Sequence, residues 1–309
     1  MADLAALLDD AVRTRPERTA VVFGDARISY AEFDRAVNQV ANLLVARGVR
    51  PGDTVALSCP NVPYFPTICL GLLKAGARLL PLDVSLSAEE IARRLADTRA
   101  VACFAFEAMV DQPIGEEAWT AFQAVDSCRE FFLVKLDSAT PEPLVPPEFY
   151  APLVARQATT FTSAPGGGDE TIVLAGSPHT SLSLLPLSDP FARAVVQNGV
   201  LATGGTVVLL PRLDARRALG LMAREKVTCL AADRHALEDL LDAADPDTPV
   251  ASSLRVVVAA EAVPTDLGAR FVERFGVSVT IWGDHAPETR APHAARESLS
   301  ALSTGHHPQ

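Results

Sequence analysis

With 309 residues, 49% hydrophobic and 21% charged, the chain can bury one large core or two medium ones, and it is too apolar for disorder over most of its length. A net charge of −11 and a pI of about 5.0 exclude the clustered Lys and Arg of a nucleic-acid footprint and leave no polybasic anchor for anionic lipid. Residues 1–10 carry Asp3, Asp9 and Asp10 where a secretory leader needs a basic stretch and an apolar run, and no apolar run reaches the length of a membrane span.

The five cysteines (Cys59, Cys69, Cys103, Cys128, Cys229) are odd in number, widely spaced and set among apolar neighbours. Buried, reduced thiols in a cytoplasmic protein are expected, in preference to a disulfide framework or a Cys-rich zinc site, because no C-x-x-C pair is present. The six histidines are scattered.

In chain order, Ser29 with Glu32 forms a capping box, followed at helical spacing by Phe33, Ala36, Val37, Val40, Leu43 and Leu44. Gly48 ends that helix, and Pro51-Gly52-Asp53 turns the chain into a strand over 54–58. A helix over 62–74 leads through Gly76 to a strand over 78–81. Ser87 with Glu90 repeats the capping pattern before a helix ending near Asp97, and strands follow over 101–106 and 131–136.

Residues 137–168 hold six prolines and end in Gly166-Gly167-Gly168, the composition of a loop or linker. Alternation then resumes, with strands over 171–174, 206–210, 227–231, 254–259 and 278–282 and helices over 191–202, 215–224, 235–243 and 265–275. This predicts an α/β fold of layered, mostly parallel sheets flanked by helices. The expected organisation is a first α/β subdomain (1–136), a Pro/Gly-rich linker (137–168), a second α/β subdomain (169–290) and a polar tail (291–309).

Five segments carry a family resemblance. Residues 73–83 read L-K-A-G-A-R-L-L-P-L-D; Ile28 to Phe33 read I-S-Y-A-E-F; Arg50 to Ala56 read R-P-G-D-T-V-A. Further on, Gly204 to Leu210 read G-G-T-V-V-L-L, and Ala259 to Pro264 read A-A-E-A-V-P. In that order they resemble the adenylate-forming superfamily of acyl-CoA synthetases, fatty acyl-AMP ligases, luciferases and peptide-synthetase adenylation domains. The chain is similar to the large AMP-binding N-terminal domain of a fatty-acid–CoA ligase.

The resemblance implies ATP, Mg²⁺ and CoA as cofactors and acyl-adenylate formation from a carboxylate. Charge developing on the phosphates there needs a Ser/Thr/Gly loop with a Lys directly after a strand. In this sequence the strand expected at 169–174 runs into Ala175-Gly176-Ser177-Pro178-His179-Thr180-Ser181, with one glycine and no lysine, and soon reaches Leu184-Leu185-Pro186-Leu187. An internal deletion of the phosphate loop is the expected reading. Phe161 to Gly168 imitates such a loop but precedes the strand, so a flexible linker is favoured there.

By resemblance, Asp189 stands at the acyl-binding segment in place of a His, and Glu261 and Ala262 lie in the segment facing adenine. Trp282-Gly283 with Glu288-Thr289 resembles the family's G-Y-G-x-T-E-T, so Trp282 would stack on adenine with Gly283 and Thr289 beside it, and Glu288 would face Mg²⁺ as the catalytic candidate. The competing reading is a half-buried Trp closing a strand and an acidic tail residue. The family's ribose-binding aspartate, hinge, C-terminal lysine and lid domain have no counterpart in these residues.

A truncated pseudoenzyme is therefore expected, unable to form acyl-adenylate alone, with a residual acyl- or nucleotide-binding or protein-interaction role. Its expected partners are an intact synthetase, an acyl carrier protein or a second copy, because the deletion should bare apolar surface. The rival readings are an active ligase with a lid supplied in trans and a decayed gene product. A Ser177/His179/Asp189 hydrolase site and an Asp284/His285 metal site are disfavoured, lacking a nucleophile elbow and enough ligands respectively.

Overall fold

A computed structural model describes residues 4–136, 148–164, 178–244 and 253–281. Two sheets organise it. The first half supplies α1 (Leu4–Thr14), β1 (Thr19–Phe23), β2 (Ala26–Ser29), α2 (Tyr30–Ala46), β3 (Thr54–Ser58), α3 (Tyr64–Lys74), β4 (Arg78–Leu82), α4 (Ala88–Thr98), β5 (Ala102–Phe106), α5 (Ile114–Gln123) and β6 (Glu130–Val134). After these come β7 (Glu148–Phe149), α6 (Tyr150–Val154) and β8 (Thr180–Ser183).

Pro190–Ala192 (α7), a π-helical stretch Arg193–Gly199 and Val200–Ala202 (α8) run on as one helix. The chain continues with β9 (Thr206–Leu209), α9 (Ala215–Arg224), β10 (Cys229–Ala232), α10 (Arg234–Ala243), β11 (Val256–Ala259), α11 (Thr265–Phe275) and β12 (Val279–Ile281). The five-stranded sheet has the order β4-β3-β5-β6-β7 and is parallel throughout. The seven-stranded sheet runs β12-β11-β10-β8-β9-β1-β2 and is parallel except for the β1–β2 hairpin. The layered, mostly parallel α/β fold is thus the one its alternating apolar runs imply.

Local chemistry sets the boundaries. Ser29 Oγ accepts from Glu32 N while the Glu32 carboxylate accepts from Ser29 N at 2.8 Å, closing both halves of the capping box that starts α2. At α4 only half of the pattern forms: Ser87 Oγ accepts from Glu90 N, but the Glu90 carboxylate turns to Arg93 and Arg94. The Gly52 turn and the 73–83 segment meet where Gly52 N donates to Gly76 O at 2.8 Å and Arg78 N to Asp53 O at 2.7 Å. Gly76 has φ +74°, which a Cβ would strain.

The sheets cross the expected division of the chain. β1 and β2 lie within 1–136 yet join the seven-stranded sheet, with Val21 in register with Val207 and Phe23 with Leu209. Residues 148–164, expected as linker, supply β7 and α6 and then run along α2. There Asn38 donates to Thr159 O (3.0 Å), Gln39 to Gln157 O (3.3 Å), and Asn42 to Ala158 O (2.8 Å) and Thr160 O (2.9 Å). Side-chain amides take the carbonyls of 157–160 and Ala164 N donates to Lys74 O at 2.8 Å, so no neighbouring strand imposes a periodic signal on this strap.

Three apolar clusters fill the fold: one around Tyr30, Phe33, Phe65, Phe104 and Phe132, one under α9, α10 and α11, and one under α4 and α5. The side chain of Lys74 is only 3% exposed, and its ammonium donates to Asp9 (2.8 Å), Asp34 (2.7 Å) and Asn38 (3.0 Å). All three of its protons are used, tying α1, α2 and α3 together. The seven-stranded sheet is continuous across β8, whose Ser181, Leu182 and Ser183 are buried between β9 and β10.

Candidate functional site

Because β8, β10, β11 and β12 are parallel, their carboxyl ends open on one edge, the place where open α/β sheets bind ligands. The segment leaving β8 is held rigidly there. Leu184 N donates to Ala231 O at 2.8 Å, and Ser183 Oγ both donates to Leu185 O (2.9 Å) and accepts from Leu185 N (3.2 Å). Asn61, from the loop after β3, donates to Leu185 O at 2.9 Å and accepts from Leu187 N at 2.7 Å. This one buried amide joins the carboxyl end of the five-stranded sheet to that of the seven-stranded sheet. Arg193, also buried, donates to Leu187 O and Ser188 O.

Asp189 sits at the end of this segment as the N-cap of α7: its Oδ1 accepts from Ala192 N at 2.9 Å. The carboxylate has a structural task in this position, satisfying a helix-end donor. Glu261 and Ala262 lie in the exposed turn between β11 and α11, at the same edge. The Ala260 N–H preceding them donates to Ala232 O at 3.2 Å, extending the β10–β11 ladder past the strand end. Arg234, at the start of α10, is hydrogen-bonded to Glu238; that bond first, and the fields of Asp266 and Glu261 after it, raise its pKa. β10 separates the strands that carry Asp189 and Glu261. Trp282, Gly283, Glu288 and Thr289 lie outside the described residues, as do Ser177, Asp284, His285, the Gly166–Gly168 run and the strand expected over 171–174.

The disfavoured hydrolase arrangement has no geometry behind it. His179 precedes β8 and Asp189 follows it, so about 13 Å of strand lies between their positions. His179 is buried with Nδ1 3.1 Å from Thr228 Oγ1. All five cysteines are buried, and burial pushes the Cys128 and Cys229 thiols up to about 12, far from a reactive thiolate. Among the described residues there is no group of three or more His, Cys, Asp or Glu able to hold a metal, and no helix is long and apolar enough to cross a membrane.

Several polar residues at this edge carry no sequence motif. Asn61 and Arg193 are buried because they bond carbonyls of a turn that has no strand partner. Gln197 and Asn198 are fully buried in the π-helical stretch, with Gln197 Nε2 donating to Cys69 Sγ (3.3 Å) and Asn198 Oδ1 (3.0 Å) while Gln197 Oε1 has no partner among the described residues. Polar side chains inside an otherwise apolar helix were the available signal.

Solved structures with this architecture include CoA ligases. An anthranilate CoA ligase in complex with anthranoyl-AMP superposes with a TM-score of 0.78 at 19% identity, covering 90% of this chain and 59% of that one. A benzoate CoA ligase from Burkholderia xenovorans LB400 gives 0.76 at 19% identity, covering 91% and 61%. At such identity the likeness establishes the fold. The AMP-binding enzyme family matches residues 8–149 and 154–283, and the chain belongs to that family. Feruloyl-CoA synthases from Amycolatopsis and Streptomyces are each 30% identical over 282 residues, covering 85% of this chain and 55% of those proteins. Phosphinothricin tripeptide synthetase PhsC of Streptomyces viridochromogenes is 26% identical over 295 residues. The chain therefore spans about half the length of the feruloyl-CoA synthases it matches.

Proposed function

We propose that this chain is an acyl- and nucleotide-binding member of the AMP-binding family that does not form an acyl-adenylate by itself. The sequence leading into β8 and the turn that leaves it carry the reading. Residues 175–183 contain no lysine and a single glycine, and β8 leads within three residues to Pro186-Leu187-Ser188-Asp189, which Asn61, Arg193 and Ala192 N hold in place. Transfer of a nucleotidyl group needs cationic and N–H donors aimed at the phosphates, and this segment supplies few of them. The open edge beside it, with Glu261 and Ala262 in the turn after β11, is where an adenine or acyl group would rest. The carboxylates to try first are aromatic, because the relatives and structural neighbours include feruloyl, anthranilate and benzoate ligases. Fatty acids, an intact synthetase, an acyl carrier protein and a second copy are the further ligands and partners to assay.

ATP–pyrophosphate exchange with a panel of aryl and fatty acids tests the reading, alongside melting with ATP, AMP or an acyl-CoA. Binding to the folded state must raise the melting temperature, so a rise with AMP or acyl-CoA and no exchange above a Glu288→Ala control is expected. Exchange abolished by Glu288→Ala would instead establish the second reading, a working ligase with a lid supplied by a partner. The uninterrupted pairing of β8 with β9 and β10 supports that alternative, since the sheet beside the site is intact.

A further inference from the structure

At the opposite end of the seven-stranded sheet, the carboxyl ends of β1 and β9 meet α9 around a half-open groove of about 600 Å³. That size falls within the range of small-molecule pockets. β9 itself lines this groove, so β8 alone lies between it and the edge at β10 and β11, and the groove sits on the β9–β1 side of that strand. Its apolar surface comes from Phe23, Leu209 and Leu221, and its α9 wall from Arg217, Gly220 and Arg224. Spacings of three and four residues put those three on one helix face.

The two arginines are held differently. Arg224 is fixed: it donates to Gly24 O at 2.8 Å and to Glu225 Oε1 at 2.6 Å, and Glu225 also receives both hydrogen bonds from Arg27. The Arg217 guanidinium makes no hydrogen bond or ion pair with the described residues and stands exposed on the groove wall. Gly220 is a second, independent oddity. Glycine inside a helix costs about 0.5–1 kcal/mol relative to alanine. Yet a Cβ on Gly220 would meet nothing within 4 Å, so no neighbouring atom demands its absence. What the missing side chain leaves is the groove itself.

We infer that this groove is a binding site for a free medium-chain carboxylate, its chain along Phe23, Leu209 and Leu221 and its head on the Arg217 fork. A guanidinium pairs two-pronged with a planar carboxylate, and Arg217 is the donor with capacity to spare. The apolar lining suits a hydrocarbon chain. The inference stands apart from the adenylate-binding reading, since neither Glu288 nor the β10–β11 edge takes part.

The test is calorimetric titration of the full chain with decanoate, decanol and decylamine. Saturable decanoate binding is expected, with decanol and decylamine each weaker by about tenfold. Gly220→Leu fills the groove from a position with free space around it, so its melting temperature should equal or exceed that of the parent while decanoate affinity falls at least about tenfold. Arg217→Gln should erase the preference for decanoate over decanol. Absence of saturable binding, or decanoate binding that Gly220→Leu leaves unchanged, overturns the inference; in the second case the acid has bound elsewhere, such as the family's acyl site.

Discussion

Tyr30 Oη donates to the carbonyl of Gly205 at 2.8 Å, and its ring is wholly buried. It thereby joins the start of α2 to the turn into β9. Leu201 O takes the same hydroxyl at 3.2 Å. Tyr30→Phe keeps the packing and strands the buried Gly205 carbonyl, while Leu201 O keeps the Gly204 N–H at 3.1 Å, so it should lower stability by about 1–2 kcal/mol. Urea denaturation reads this as a lower midpoint at unchanged slope; an unchanged midpoint would mean the hydroxyl holds nothing.

The Gly205 position itself should tolerate nothing larger. A Cβ there would sit 2.4 Å from His179 O, which Thr206 N holds at 2.9 Å, and 2.7 Å from Val200 Cγ1 on α8. Gly205→Ala is expected to cost more than about 2 kcal/mol, whereas Gly220→Ala on α9 should gain about 0.5–1 kcal/mol. Paired melting curves compare the two directly.

Removing Lys74 leaves the half-buried carboxylate of Asp34 without its cation. Lys74→Ala should cost about 1–3 kcal/mol, less than for a fully buried pair because both carboxylates left behind keep contact with water. Asp34 is 20% exposed and Asp9 54%, so Asp34→Ala should be the more damaging of the two single acid deletions. Equal losses would place the strength of the cluster in the α1 contact instead.

Asp189→Ala removes an N-cap and should cost about 1 kcal/mol. If its task is the cap alone, AMP- or acyl-CoA-induced shifts in melting temperature will match those of the parent. A selective loss of acyl-CoA stabilisation would give Asp189 a ligand contact.

Alkaline pH should weaken the fold before it touches the native thiols. Burial pushes Cys128 and Cys229 from an ordinary 9.0 up to about 12, and raises the phenols of Tyr30, Tyr64 and Tyr150 as well. Unfolded thiols ionise first, so the native state binds more protons and stability falls as pH rises above about 9, levelling near 12. Denaturation midpoints between pH 8 and 11 in reductant should decline, with a shallower decline in Cys229→Ala.

The scaffold was legible where local signals act. Ser29 with Glu32 announces α2, and apolar periodicity placed the bounds of α9 and α11. Partners far apart in sequence were not legible: nothing in Thr19–Phe23 says that its strand pairs with Thr206–Leu209. The strap at 155–164 was missed because its carbonyls are satisfied by Asn38, Gln39 and Asn42, which leave no periodic trace. At the candidate site, family likeness singled out Asp189, Glu261 and Ala262, but the cap role of Asp189 and the clamp made by Asn61 depend on tertiary placement. Arg217 and Gly220 lay in an ordinary amphipathic helix whose hairpin neighbour only the fold reveals.

The seating of β1 beside β9 bears on how the chain is made. Thr206 Oγ1 reaches back to Thr19 O across 187 residues, so a nascent polypeptide emerging from the ribosome must wait for most of itself before the hairpin finds its sheet. Until then the apolar side chains of Val21 and Val22 stay without β9, at the stage when aggregation competes with folding. Cutting the gene between the two halves would leave the amino-terminal piece holding a strand that belongs to its missing complement, and co-expressing both pieces would be the way to recover either.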